Sequence, residues 1–174
     1  MNQQYYYYEI LFNLGSRKEI PVYNQENNII YFLQRYNKNW VDALLSARNP
    51  RGAVSVKLKD SNGQKLVTTT EPWSFKKKFY VNSIHKEQEL VATVVNNLNV
   101  TNNQLEFSLN GNNYLISKEA FNNRTLIHEN GNIIGEMTYD QVLPPRSNYI
   151  KIVAGRVELP ILFCLLHTFE LGVK

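Results

Sequence analysis

Residues Leu159–Val173 read LPILFCLLHTFELGV, and they follow a body that alternates like β-sheet. Apolar residues in this stretch fall on every side of the helical wheel: Leu159, Ile161, Leu162, Phe163, Cys164, Leu165, Leu166, Phe169 and Leu171. A helix that is apolar all round must be buried all round, in protein or in lipid. Spanning a bilayer takes roughly 20 apolar residues; this run is shorter and is interrupted by His167 and Glu170. It is long for a strand, and Pro160 and Gly172 suit the first turn and the end of a helix. The stretch therefore predicts one hydrophobic helix over about 159–171, enclosed by the strands before it.

Those strands announce themselves by their turns. Asn24–Asn28 separates Ile20–Tyr23 from Ile29–Leu33, and Asp60-Ser61-Asn62-Gly63 separates Val54–Lys59 from Leu66–Thr70. His85–Gln88, Asn110–Asn113 and Asn130-Gly131 divide three further pairs of apolar alternating runs. Asn-Gly and Asp/Asn clusters supply the positive φ angles of tight hairpins. With Tyr5–Leu14 and Ile150–Val153 added, the pattern predicts about ten to twelve strands. Each has one wet face and one dry face, as in an antiparallel sandwich or closed barrel. About eight strands already leave a barrel interior just wide enough for its own side chains. A wider barrel needs an occupant, and the terminal helix has the right chemistry. The expected fold is mainly β, an antiparallel barrel of about twelve strands enclosing the C-terminal helix, as one domain over residues 1–174.

Smaller signals fit around that frame. In Asn39–Ala47, Trp40, Ala43, Leu44 and Ala47 share one helical stripe, which predicts a short helix anchored to the barrel by Trp40. Lys118–Asn122 is read as one further helical turn. Alternate residues of the run Tyr5–Tyr8 are expected to face core and surface in turn. Trp73 and Phe75 extend an inward set with Phe79 and Val81, or serve stacking or interfacial insertion.

With 43% apolar and 20% charged residues the chain is neither disordered nor membrane-integral. Residues 1–15 contain no basic segment followed by an apolar one, so no secretory signal is read there. The single cysteine, Cys164, lies in the apolar run, where a buried thiol is a small apolar filler. It permits no intramolecular disulfide and fits a reducing compartment.

Nothing in the sequence resembles an active site. His85, His128 and His167 fall in a turn, a strand end and the apolar helix, none at zinc-ligand spacing. No nucleophile elbow, P-loop or dinucleotide fingerprint is present. His167, facing the interior, is expected to find a strand backbone or a tyrosine hydroxyl as hydrogen-bond partner. No catalytic residue, metal or cofactor is expected.

Charge is the functional hint. Residues 48–78 carry Arg48, Arg51, Lys57, Lys59, Lys65, Lys76, Lys77 and Lys78 against Asp60 and Glu71, a net +6 in a chain of net +4. Lys57 and Lys59 share the outward face of one strand. Such a patch attracts anionic headgroups at about 1 kcal/mol per basic residue near the surface, or phosphates of nucleic acid in a salt-dependent way. Lysines on outward faces also simply keep a barrel soluble and blunt its edges. The candidate lipid or polyanion site is Arg48, Arg51, Lys57, Lys59, Lys76, Lys77 and Lys78.

The ordered set Ile20-Pro21-Val22-Tyr23-Asn24 with Ile29–Leu33, Val56-Lys57-Leu58-Lys59-Asp60-Ser61-Asn62-Gly63-Gln64-Lys65-Leu66, Glu89-Leu90-Val91-Ala92-Thr93-Val94 and Gly155–Gly172 resembles the tubby C-terminal-like superfamily. That group includes the LURP-one-related proteins and the phospholipid scramblases. The resemblance implies a twelve-stranded barrel around a central hydrophobic helix, and for tubby domains binding of phosphoinositide headgroups by surface Lys and Arg. Scramblases add a calcium-linked segment and cysteine-rich palmitoylation sites. This chain has one cysteine and no acidic D-x-D-x-D-G loop, so scramblase activity does not carry over. Three readings follow: a non-catalytic module contacting anionic membrane from the cytoplasmic side, a structural or protein-interaction domain with an unknown protein partner, and a small-ligand barrel. The helix argues against the last, because it fills the cavity a ligand needs. Nucleic acid is the least favoured partner.

Overall fold

Twelve strands close into one antiparallel barrel in the computed structural model, which describes residues 2–11, 16–48, 54–72, 78–84, 88–96, 103–118, 123–153 and 155–172. In chain order the strands are β1 (Gln3–Ile10), β2 (Ile20–Asn24), β3 (Ile29–Tyr36), β4 (Ser55–Asp60), β5 (Lys65–Thr70) and β6 (Lys78–Ser83). They continue as β7 (Gln88–Asn96), β8 (Asn103–Leu109), β9 (Asn112–Lys118), β10 (Arg124–Glu129), β11 (Asn132–Tyr139) and β12 (Arg146–Val153). Each strand neighbours the next, and β1 pairs with β12 to close the ring, from Gln3↔Val153 to Ile10↔Arg146. Helix α1 (Trp40–Arg48) joins β3 to β4, and α2 (Leu159–Gly172) follows β12.

The hairpin turns at 24–28, 60–63, 110–113 and 130–131 form where the turn chemistry placed them, and residues 85–87 of the expected turn His85–Gln88 lie outside the described residues. Asn110-Gly111 and Asn130-Gly131 have positive φ at both residues, the two-residue turn whose twist matches its flanking strands. In the β4–β5 turn, Asp60 accepts backbone N–H bonds from Asn62 at 3.0 Å and Gln64 at 2.8 Å through Oδ1. Period-2 alternation then sorts the walls: Val56 and Leu58 point inward with Lys57 and Lys59 outward. In the tyrosine run, Tyr6 and Tyr8 are buried, Tyr5 is exposed and Tyr7 half-buried.

Helix α2 occupies the lumen. Every residue from Ile161 to Gly172 is buried, and the helix packs against β3, β4, β5 and β6. Each large apolar side chain so enclosed contributes about 1.5–3 kcal/mol. The Phe163 ring meets Tyr6 edge-on at 5.1 Å. The Thr168 hydroxyl donates to the Cys164 carbonyl at 2.7 Å, and the Thr69 hydroxyl of β5 lies 2.6 Å from the Thr168 hydroxyl. Gly172 lets the helix end close to the wall: a Cβ there would stand 3.3 Å from Val54 Cγ2.

Several expectations change. Trp40 does not anchor α1: it is 77% exposed, and Leu44 of the same stripe is 61% exposed. Polar groups define the start of α1 instead. The Asp42 amide donates to Asn39 Oδ1 at 2.9 Å, and Asp42 Oδ2 accepts from the Lys38 amide at 3.1 Å, capping the first turn. Lys118 ends β9, and the rest of the stretch Lys118–Asn122, read as a helical turn, lies outside the described residues. Strand β12 begins at Arg146, before the expected Ile150, because its first inward positions are the polar Arg146 and Asn148. Phe79 and Val81 face inward as expected; Trp73 and Phe75 lie outside the described residues.

Candidate functional site

The outward face of β4 and β5 carries the basic residues that the structure brings together. Lys57 sits opposite Gln34 and Thr68, and Lys59 opposite Phe32 and Lys65, so three lysines share two adjacent strands. Lys57 and Lys59 are half-buried and Lys65 is exposed. Their surroundings differ. Lys57 Nζ lies 5.8 Å from the Tyr36 ring centroid, a contact worth about 0.5–1 kcal/mol at an exposed site. Lys59 Nζ is held 2.5 Å from Glu19 Oε1, which neutralises part of its field. Lys78 opens β6 one strand further on, beyond the Thr70↔Tyr80 pair, with Nζ 5.4 Å over the Tyr80 ring. Arg48 ends α1, but its side chain is not among those described, and Arg51, Lys76 and Lys77 lie outside the described residues. Helix α1 adds exposed Trp40 and Leu44 ahead of β4.

A second polar cluster is internal, and sequence reasoning missed it. Glu170, near the end of α2, has its side chain fully buried and forms an ion pair with Arg146 Nη2 through Oε2. Lys118 Nζ lies 3.4 Å from its other oxygen. Arg146 Nη1 donates to the Val142 carbonyl at 2.9 Å, and its guanidinium lies 4.4 Å from the Tyr139 ring centroid. Lys118 covers the same ring at 4.7 Å. One carboxylate on an enclosed helix therefore meets two cations from β9 and β12. A lone acid in an otherwise apolar helix was the available signal, since a buried charge requires a partner. The partner's identity was not legible, because Arg146 and Lys118 lie 24 and 52 residues away in the chain.

The remaining titratable groups of α2 are held neutral. Burial pushes the Cys164 thiol up to about 12, which removes the thiolate that nucleophilic chemistry needs. Its Sγ lies 3.6 Å from the Val56 carbonyl. Burial, with the Arg35 charge second, lowers His167 to about 4. The hydrogen-bond partner expected for His167 is not found at Nδ1 among the described residues. Tyr8 meets the imidazole ring edge-on, with 5.6 Å between ring centroids, and directs its hydroxyl at Met137 Sδ, 3.9 Å away. The Tyr8 phenol is raised by burial first and by Glu170 second. His128 Nε2 lies 3.4 Å from Ser117 Oγ, and His85 is outside the described residues.

Among the described residues, no group of three or more His, Cys, Asp or Glu side chains is placed to hold a metal ion. No described helix is long and apolar enough to cross a membrane. No curated protein and no solved structure gives a significant match to the chain. The family described as Tubby C-terminal like domain does, over residues 6–173. That span runs from the second tyrosine of β1 through all twelve strands and past the end of α2, the same closed barrel with its helix inside. The chain belongs to the tubby C-terminal-like family.

Proposed function

We infer that this domain is a non-catalytic module that associates with anionic phospholipid through the outward face of β4 and β5 and the segment around it. The observation that supports the reading is the placement of Lys57, Lys59 and Lys65 on adjacent strands, within a segment of net +6. At about 1 kcal/mol per basic residue near an anionic surface, Lys57, Lys65 and Lys78 are the chief contributors among the described lysines of the segment. Lys59 supplies less, because Glu19 already compensates it. Exposed Trp40 and Leu44 suit insertion at the headgroup level, where amphipathic aromatic rings are enriched. The interior offers little for a lipocalin-like small-ligand function, since α2 fills the lumen.

The test is sedimentation with vesicles of phosphatidylcholine alone or with phosphatidylserine and phosphoinositide added, at low and moderate salt. Wild type is compared with Lys57→Gln/Lys65→Gln/Lys78→Gln, with Lys76→Gln/Lys77→Gln/Lys78→Gln, and with Trp40→Ala. The expected result is salt-sensitive binding to anionic vesicles that weakens at least tenfold in one or both lysine variants. Equal binding to neutral vesicles, or none at either salt, refutes the reading and leaves a protein-interaction domain.

A further inference from the structure

One end of the barrel presents apolar side chains to solvent. In an antiparallel ring, every connection that leaves an odd-numbered strand lies at the same end. The β3–β4 connection, which holds α1, and the β11–β12 connection at 140–145 therefore share one rim. These two connections carry the four most exposed large apolar side chains among the described residues: Trp40, Leu44, Val142 at 71% and Leu143 at 75%. Only β1 and β2 separate β12 from β3, about 15 Å along the wall at the usual strand spacing. Exposed Arg17 and Lys18, just ahead of β2, lie between them, and exposed Lys38 precedes α1.

The tip at 140–145 is held from within. The Ser147 amide donates to Asp140 Oδ1 at 2.9 Å, and Gln141 Nε2 donates to the Pro145 carbonyl. Arg146 Nη1 donates to the Val142 carbonyl at 2.9 Å while Nη2 pairs with Glu170, so the tip is tied to the end of the enclosed helix. Val142 and Leu143 are thus held away from the core. Pro144 and Pro145 have no N–H, which lowers the cost of taking this backbone out of water. Among the described residues of this quarter of the rim, the exposed acids are Glu9, Glu19 and Asp140. Glu19 is paired with Lys59, and Asp140 is engaged by the Ser147 amide.

We propose that this rim enters the headgroup layer of an anionic membrane, with Val142 and Leu143 inserting on one side of Arg17 and Lys18, and Trp40 and Leu44 on the other. The orientation rests on the lipid reading: α1 stands at the corner between the β4–β5 face and this rim, so a bilayer that receives Trp40 meets both. Two separate convex tips suit a fluid plane, whereas a protein partner would need a matched groove for each. Cations between apolar anchors complement an anionic interface, with the apolar atoms at the acyl boundary and the charges among the phosphates.

The chain's one cysteine, Cys164, is buried, so an environment-sensitive thiol dye on Leu143→Cys reports on that position. Ile133→Cys, exposed beside the β10–β11 turn at the opposite rim, is the control. The probes are vesicles of phosphatidylcholine with phosphatidylserine and phosphoinositide, with and without a nitroxide-labelled lipid, and sedimentation shows whether each protein binds. On binding, the dye at 143 should brighten, shift to the blue and be quenched by the nitroxide, while the dye at 133 should not change. Val142→Asn/Leu143→Asn should melt as wild type does, since both side chains are exposed, and bind roughly tenfold more weakly. Sedimentation with no response at 143, an equal response at 133, or full binding by the double variant overturns the insertion and leaves the lipid reading standing. No sedimentation with anionic vesicles overturns both. Brightening at 143 that grows with protein concentration and needs no vesicles overturns the insertion in favour of self-association.

Discussion

Replacing Arg146 by leucine removes the closest countercharge of a carboxylate that has no access to water. The side chains of Glu170 and Arg146 are 0% and 3% exposed, whereas that of Lys118 retains 14%. Breaking a buried ion pair from one side costs about 3–5 kcal/mol, because the abandoned charge stays desolvated. Lys118 remains 3.4 Å from Glu170 Oε1 in the variant, so the expected loss is about 3 kcal/mol, the lower end of that range. Part of any measured loss belongs to packing, since the guanidinium also lies over Tyr139 and donates to the Val142 carbonyl. The double variant Arg146→Leu/Glu170→Leu separates the two contributions. It removes both charges and leaves Lys118, whose amine can turn toward water, and it should recover at least half of the loss. Urea unfolding is the assay: with a slope of about 2 kcal/mol per M, the single change lowers the midpoint by about 1.5 M. A loss under about 1 kcal/mol, or a double variant no more stable than the single one, refutes the claim that this pair compensates a buried charge.

Three further outcomes follow from α2 and the wall around it. His167 titrates at about 4 in the folded state against 6.5 in its absence, so the unfolded chain binds more protons between these values and stability falls as pH drops through that window. The loss is about 3 kcal/mol at 1.36 kcal/mol per unit, and His167→Leu should flatten the urea midpoint between pH 6.5 and 4; an unchanged profile contradicts the assignment. Phe163→Asp or Leu165→Asp places an unpaired charge inside the barrel at a cost of several kcal/mol, and expression trials should give mostly insoluble protein; a soluble, cooperatively melting product contradicts the enclosed helix. Gly135→Ala sets a Cβ 2.8 Å from the Lys151 carbonyl oxygen and 3.3 Å from Ile127 Cδ1, and calorimetry should register a loss of about 1–3 kcal/mol; a melting temperature unchanged from wild type shows that β11 and β12 shift freely there.

The parts of the fold that were legible are those written in local pattern. The run Leu159–Leu171 announced a helix buried on all sides, and the Asn-Gly pairs at 110–111 and 130–131 fixed two turns. Alternation told Val56 and Leu58 from Lys57 and Lys59. What failed depends on partners distant in the chain. Trp40 reads as an anchor on a helical wheel, but amphipathic spacing does not supply a surface to cover it, and α1 leaves it exposed. The start of β12 is hidden because Arg146 and Asn148 face inward, against the rule that inward positions are apolar. Arg146 is there for Glu170, and that pairing exists only once the helix lies inside the barrel. The candidate basic site was legible as a charge excess. The neutralisation of Lys59 by Glu19 was not, because those residues lie 40 positions apart.

The most direct test of the account is amide hydrogen exchange with and without anionic vesicles, because it asks whether function lies on the wall while the core stays shut. Amides of α2 should exchange slowly in both conditions, near the limit of global unfolding, while vesicles add protection on β4, β5 and α1. Rapid exchange in α2, or vesicle-induced protection confined to β9–β11, would contradict the account.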